Sequence, residues 1–89
     1  MTPDVNTMKY NKDKVDDVTL ALMYLVTFQL KKDFPMSAWK SFDWDTLDRL
    51  HEKGLISNPK TKAKSIMMTD AGFQRSKQLF EDMFGEKNG

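Results

Sequence analysis

The sequence predicts a mainly α-helical domain with three main helices and a small β-hairpin ahead of the last helix. Apolar residues recur at helical spacing in three segments, and each segment begins at a residue that can cap a helix. Two short apolar runs flank the turn-forming stretch SNPKTKAK, which is typical of a hairpin. A chain of 89 residues can build one domain with one modest core. We place it at residues 13–84, between a flexible arm (1–12) and a loose tail (85–89).

The first helix is predicted at residues 14–30, with Asp13 as its N-cap. Lys31 and Lys32 follow its end, which suits the helix dipole. Apolar residues occupy more than one side of this helix: Val15, Val18, Leu20, Leu22, Met23, Tyr24, Leu25, Val26 and Phe28. A helix of this kind needs a second cover, which the last helix or a second copy of the protein can provide. The sequence leaves open burial within the monomer and a homodimer built on the first and last helices.

The stretch DFPMSAWKSF, residues 33–42, is predicted to be a packed connection with at most one helical turn near residues 36–40. Its three aromatic residues, Phe34, Trp39 and Phe42, are expected to anchor it to the core. Aromatics beside Lys40 could instead stack nucleic-acid bases, but single-strand binders need a platform with a basic groove.

The second helix is predicted to begin after Asp43 as N-cap and to end before Gly54, which suits the left-handed position that terminates a helix. Its core face is expected to carry Trp44, Leu47, Leu50 and His51. Its exposed face is expected to carry Asp45, Arg49, Glu52 and Lys53, with Asp45 paired to Arg49 one turn on. Two acids and two bases would make that face close to neutral.

The β-hairpin is predicted from Leu55 and Ile56, with residues 65–68 as the returning strand. Alternate spacing along a strand would point the lysines at its tip, Lys60, Lys62 and Lys64, to one side. They are candidate phosphate contacts, although lysines also protect an exposed sheet edge from pairing. Thr69 is expected to cap the last helix, Asp70–Phe84.

The order of these elements, with LDRLHEKGLI followed by MTDAG, resembles the winged helix-turn-helix segment of MarR-like and PadR-like regulators. The matching residues are Leu47, Leu50, Gly54, Leu55, Ile56, Thr69 and Gly72. Gly72 would let the last helix approach its neighbour closely. The helix that should precede the recognition helix is reduced to the stretch around residues 36–41. Through DKVDD, AWKSFDW and LDRLHEKGLIS the chain also resembles a family of small bacterial proteins of unknown function.

The resemblance to regulators implies binding of double-stranded DNA by the second helix and the wing. Arg49 could read guanine, and Asp45 could accept a hydrogen bond from cytosine. The candidate nucleic-acid-binding residues are Asp45, Arg49, Lys53, Lys60, Lys62 and Lys64. The alternative is a protein-interaction or dimerisation module that binds no nucleic acid, because a near-neutral helix face equally suits a protein partner.

Composition argues against catalysis and against a bound cofactor. The absence of cysteine excludes disulfides, thiolate catalysis and cysteine-ligated zinc, and His51 is the one histidine. Asp43, Asp45 and Asp48 lack the glycine and the final acid of a calcium loop. The apolar run at residues 18–28 is too short to span a membrane, and the N-terminus does not resemble a secretory signal. We therefore expect a cytoplasmic, non-enzymatic protein without metal, cofactor or membrane partner.

Overall fold

The computed structural model describes residues 8–29 and 31–86; predictions that fall on residues 1–7, 30 and 87–89 lie outside the described residues. Over the described residues the elements are α1 (Lys12–Leu25), β1 (Phe28–Gln29), β2 (Met36–Trp39), α2 (Trp44–Glu52), β3 (Ser65–Met67) and α3 (Asp70–Phe84). The predicted fold class is confirmed: the protein is mostly helical with a small β component, in an order compatible with a winged-helix-like arrangement.

Helix α1 begins earlier and ends earlier than the sequence predicts. Asn11, not Asp13, is the N-cap, because its side-chain oxygen accepts a hydrogen bond from the Lys14 N–H at 3.1 Å. The helix ends at Leu25, where Thr27 donates a side-chain hydrogen bond to the Tyr24 carbonyl at 2.9 Å. Phe28, predicted to be helical, belongs instead to the first strand, where it is paired with β2.

The three strands of the described chain form an antiparallel sheet in the order β1-β2-β3. This corrects the expectation of a packed connection with a helical turn at residues 36–40, because these residues form β2 and its end. The chain reverses between β1 and β2 at Asp33, whose φ of 70° lies in the left-handed region. Pro35 precedes the first residue of β2, a position where a proline leaves the sheet ladder intact.

The predicted hairpin is present only in part. Ile56 pairs with Met68 as an isolated bridge, and the Ser57 N–H donates to the Met67 carbonyl at 2.8 Å. The main partner of β3 is β2, which the sequence did not indicate. Residues 57–64, which we call the basic loop, therefore connect the bridge residue Ile56 to the start of β3.

Helices α2 and α3 have the caps that the sequence predicts. Asp43 accepts a hydrogen bond from the Thr46 N–H at 3.1 Å, and Thr69 accepts one from the Gly72 N–H at 2.9 Å. Gly54 ends α2 with a φ of +76°. A Cβ atom on Gly72 would overlap the backbone carbonyl of Leu55, which confirms the close approach expected at this glycine.

The core lies between α1, α2, α3 and the inner face of the sheet. Its buried apolar residues are Leu20, Ala21, Met23, Ala38, Leu47, Leu50, Ile56, Ile66, Met68 and Leu79. Tyr24 packs between the rings of Phe73 and Phe80, at centroid distances of 5.6 and 5.5 Å. Trp44 and His51, predicted on the core face of α2, are exposed. The core face of α2 is formed by the buried Leu47 and Leu50.

Candidate nucleic-acid interface

Two cations, Arg49 of α2 and its C-cap residue Lys53, bind a buried carboxylate on α1. Asp16 is only 1 % exposed. Its Oδ1 accepts from Nε of Arg49 at 2.8 Å and lies 2.8 Å from Nη2, while its Oδ2 accepts from Nζ of Lys53 at 2.8 Å. A buried carboxylate is stable only when its charge is neutralised and its oxygens are hydrogen-bonded, and here both conditions are met.

A wider network holds these side chains in place. Arg49 also donates to the Thr46 hydroxyl at 3.1 Å, and that hydroxyl donates to the Asp43 carboxylate at 2.9 Å. Lys53 donates in addition to Asp13 at 3.0 Å. The hydrogen bonds to Asp16 and then to Asp13 raise the pKa of Lys53 above its ordinary value. The ammonium group of Lys53 is therefore held in its charged form. The ion pairs of Arg49 and Lys53 with Asp16, and of Lys53 with Asp13, join the end of α2 to α1.

This arrangement corrects the predicted charge of the exposed face of α2. Arg49 pairs with Asp16 and not with Asp45, and its side chain is only 20 % exposed. With Arg49 and Lys53 both turned to α1, the outward side of α2 carries the acids Asp45, Asp48 and Glu52 beside His51. The face is therefore acidic and not neutral. That Asp45, Arg49 and Lys53 contact DNA stays a prediction. The acids on the outward side of α2 would repel the phosphates of DNA.

The basic loop presents the three lysines that the sequence singled out. Lys60, Lys62 and Lys64 are exposed. Lys60 lies 3.9 Å from Asp48, a weak surface contact, and in the part of the chain that the structure describes Lys62 and Lys64 form no ion pair. These lysines remain available to an anionic partner, and their role as phosphate contacts stays a prediction.

Lys40, which the sequence did not assign to the site, ties the basic loop to β2. Its ammonium donates to the Thr61 carbonyl at 2.9 Å and to the Thr61 hydroxyl at 3.2 Å. Its backbone N–H donates to the Lys64 carbonyl at 3.0 Å, directly beyond the last residue pair of the ladder. The loop is therefore held against the sheet.

Charge is segregated on this molecule although the formal net charge is +1. Residues 31–42 and 57–67, which we call the basic side, hold a single acid, Asp33. Their six lysines are Lys31, Lys32, Lys40, Lys60, Lys62 and Lys64. The outward side of α2 is acidic, so local fields of opposite sign exist where the net charge predicts almost none.

The exposed histidine has a local structural contact. Nδ1 of His51 lies 3.1 Å from the Ile56 carbonyl. A shallow depression beside it is lined by Asp48, His51, Glu52, Asn58 and Lys60. Across residues 8–29 and 31–86 no group of three or more His, Cys, Asp or Glu side chains could hold a metal ion. The expectation that the protein is not an enzyme stays a prediction.

An apolar stripe of α1 faces away from the core. Val18, Leu22 and Leu25 recur at helical spacing on the side opposite Leu20 and Met23, and all three are exposed. We call this set the outward stripe. None of the helices in the described ranges is long and apolar enough to cross a membrane.

The fold and surface define a small mixed α/β domain, with three helices around a short antiparallel sheet over the described residues. Residues 11–86 match a family described as Domain of unknown function (DUF6429), and the chain belongs to this family. It is 47% identical over 77 residues to the Uncharacterized protein y4hR of Sinorhizobium fredii, covering 86% of this chain and 97% of that protein. No solved structure matches. The predicted membership in a small family of unknown function is confirmed, and the winged-helix resemblance stays a prediction.

Proposed function

We propose that this protein is a non-catalytic nucleic-acid-binding module that contacts the phosphate backbone through the lysines of the basic loop. The observation that carries the proposal is the segregation of charge, with six lysines and a single acid on the basic side. Phosphate contacts supply most of the affinity of non-specific nucleic-acid binding. A patch of this kind can therefore bind nucleic acid even on a protein with little net charge.

In this proposal α2 does not read base edges. Its acids would face the phosphates, and its two cations are occupied by Asp16. Binding through the basic loop alone should be electrostatic and weakly selective for sequence. The expected behaviour is a steep dependence of affinity on salt with little difference between duplex sequences.

A salt titration of binding to mixed-sequence duplex DNA tests the proposal. The triple variant Lys60→Ala, Lys62→Ala, Lys64→Ala should weaken binding to all sequences and reduce the salt slope by roughly three phosphate contacts. The matched control removes the same charge from the exposed lysines around the start of α1: Lys9→Ala, Lys12→Ala, Lys14→Ala. Equal losses in both variants would show that binding is not located at the basic loop, and no binding to either duplex or single-stranded DNA at low salt would overturn the proposal.

Arg49→Ala separates this proposal from reading by α2. If α2 reads bases, the variant should lose about 1–3 kcal/mol of preference for the best site. If the basic loop alone binds, sequence preference should not change. The stability of the variant, measured in parallel, accounts for any loss caused by the freed Asp16.

A second candidate function is homodimerisation, and the outward stripe favours it. Residues 18–28, which include the whole stripe, contain no charged residue. Leu25 is 66 % exposed. Near the ends of both helices, the ring of Phe84 packs at a tilt against that of Phe80, with centroids 5.4 Å apart, and Phe80 contacts Tyr24, the neighbour of Leu25. Two copies related by a two-fold axis could cover these apolar surfaces mutually.

Sedimentation analysis tests the dimer. Leu22→Glu should dissociate it, because a charge would be buried at the centre of the stripe. Phe34→Glu is the matched control, since Phe34 is similarly exposed but lies in the turn between β1 and β2. A wild-type protein that is monomeric at tens of micromolar, or a Leu22→Glu variant that sediments like the wild type, would remove this candidate.

A further inference from the structure

The outer face of the sheet is apolar and open to solvent. Strand alternation turns Ala38 and Ile66 into the core. The opposite face carries Phe28, Trp39 and Met67, which we call the aromatic platform. Trp39 and Met67 are exposed, with Trp39 at 54 %. Neighbouring exposed apolar residues of this kind often mark a binding surface.

The platform is built by strand register. Ser37 in the central strand pairs with Phe28 on one side and with Met67 on the other, and it is itself 1% exposed. The rings of Phe28 and Trp39 lie 5.0 Å apart with an interplanar angle of 30°. The two rings therefore form one surface, fixed by neighbouring strands, with part of the Trp39 indole free to accept another ring.

Positive charge lies at both ends of the platform. Lys31 and Lys32 lie in the turn that enters β2, and the exposed Lys64 lies beyond Trp39 at its exit, where the Lys40 ammonium is already hydrogen-bonded to Thr61. The two ends of β2 are about 10 Å apart. Lysines at either end can therefore reach the backbone of a short ligand that crosses the platform.

Beside the platform lies a shallow groove of about 320 Å³ whose walls are mostly apolar but carry several polar groups. Ser57, Asn58, Thr61 and Ser65 contribute hydroxyl and amide groups to it. Three of these groups already accept internal hydrogen bonds, from Met67, Lys60 and Lys40. The hydroxyl protons of Ser57 and Thr61 and the Asn58 amide hydrogens can still donate to a phosphate or to a base edge.

We propose that the aromatic platform binds single-stranded nucleic acid, with a base stacked on Trp39 and phosphates on the flanking lysines. The inference rests on the proposed nucleic-acid binding and names its form. Stacking requires an open base face, which a duplex does not offer and a single strand does. A second copy is a poor occupant, because its own lysines would meet those of the first and lysine is depleted at protein interfaces.

The two tryptophans provide a matched test. Trp39 and Trp44 are equally exposed, at 54 % and 55 %, but Trp44 lies on α2 between Asp43 and Asp45. Binding of a labelled oligothymidylate at low salt should weaken roughly 5- to 160-fold in Trp39→Ala, the loss of one stacked base. Trp44→Ala should bind like the wild type, and Trp39→Phe should keep most of the affinity.

Fluorescence gives a second measurement that leaves Trp39 intact. In Trp44→Phe, Trp39 is the one tryptophan left, and oligothymidylate should quench its emission with saturation. Equal losses in Trp39→Ala and Trp44→Ala, absence of quenching, or tighter binding to duplex than to single strand would overturn the single-strand inference and leave phosphate binding by the basic loop standing. A wild-type protein that binds neither form at low salt would overturn both.

Discussion

The buried carboxylate of Asp16 is a position where one substitution should cost much stability. Asp16→Asn keeps the side-chain size but removes the charge, and its amide nitrogen would point a donor at one of the two cations. Arg49 would then remain, 20 % exposed, without its charge partner. Removing one partner of a fully buried pair costs about 3–5 kcal/mol, and because Arg49 and Lys53 both reach solvent we expect about 2–4 kcal/mol.

Urea unfolding followed by circular dichroism measures this effect. The midpoint should fall while the slope of the free energy of unfolding against urea stays constant. Asp17→Asn is the matched control on the next residue, since Asp17 lies 3.6 Å from Arg75 at the surface. Exposed pairs contribute about 0–1 kcal/mol. If both variants unfolded at the same urea concentration, the argument that Asp16 holds the cations of α2 would be refuted.

Three further predictions concern glycine, pH and metal ions. Gly72→Ala should destabilise the protein more than Gly54→Ala in thermal unfolding, because a Cβ at position 72 would overlap the Leu55 carbonyl. A Cβ at position 54 would meet open space, and the cost there is the strain of an alanine at a φ of +76°, about 1–2 kcal/mol. The raised pKa of Lys53 stabilises the fold below the unfolded pKa of about 10.4, so the stability gap to Lys53→Met should close as pH rises above that value. A gap that persists there would contradict the role of its ion pairs. Zinc, calcium and magnesium should leave the melting temperature unchanged. A saturable rise would contradict the prediction that the acidic side chains form no metal site.

The helices α2 and α3 could be predicted closely because the signals that bound them are local. Asp43 and Thr69 cap the N–H groups three residues away, and Gly54 adopts a left-handed φ in the residues that end α2. Each of these contacts is encoded within one turn of the chain. Sequence patterns at that distance specify the element without knowledge of the rest of the fold.

The strands β1 and β2 could not be predicted because no contact within one turn of the chain specifies them, and each depends on pairing with another strand. The reversal places Asp33 in a left-handed conformation, which aspartate tolerates but which glycine marks more clearly in a sequence. β1 has only two residues, too few for alternation to be recognised. The strand that stabilises β2 on its other side, β3, lies on the far side of α2 in the sequence.

Local sequence patterns do not specify the orientation of Arg49. Helical spacing shows which residues share a face, but not which part of the face another helix covers. The partner, Asp16, is 33 residues away in the sequence. One signal was present: Asp16 falls in the same stripe as Leu20 and Met23, so an acid occupies a core position of α1. An acid there requires a cation from a neighbouring element.

The pairing of Asp16 with the cations of α2 also affects how the molecule meets a charged partner. Because Arg49 and Lys53 are neutralised internally, the acids of α2 and the lysines of the basic side meet only in the weak contact of Asp48 with Lys60, so a nearly neutral protein carries separated charges and an electric dipole moment. A polyanion exerts a torque on such a dipole before contact and turns the lysines toward itself. The direction of approach is thereby set by the packing of two helices, and it weakens with salt as the field is screened.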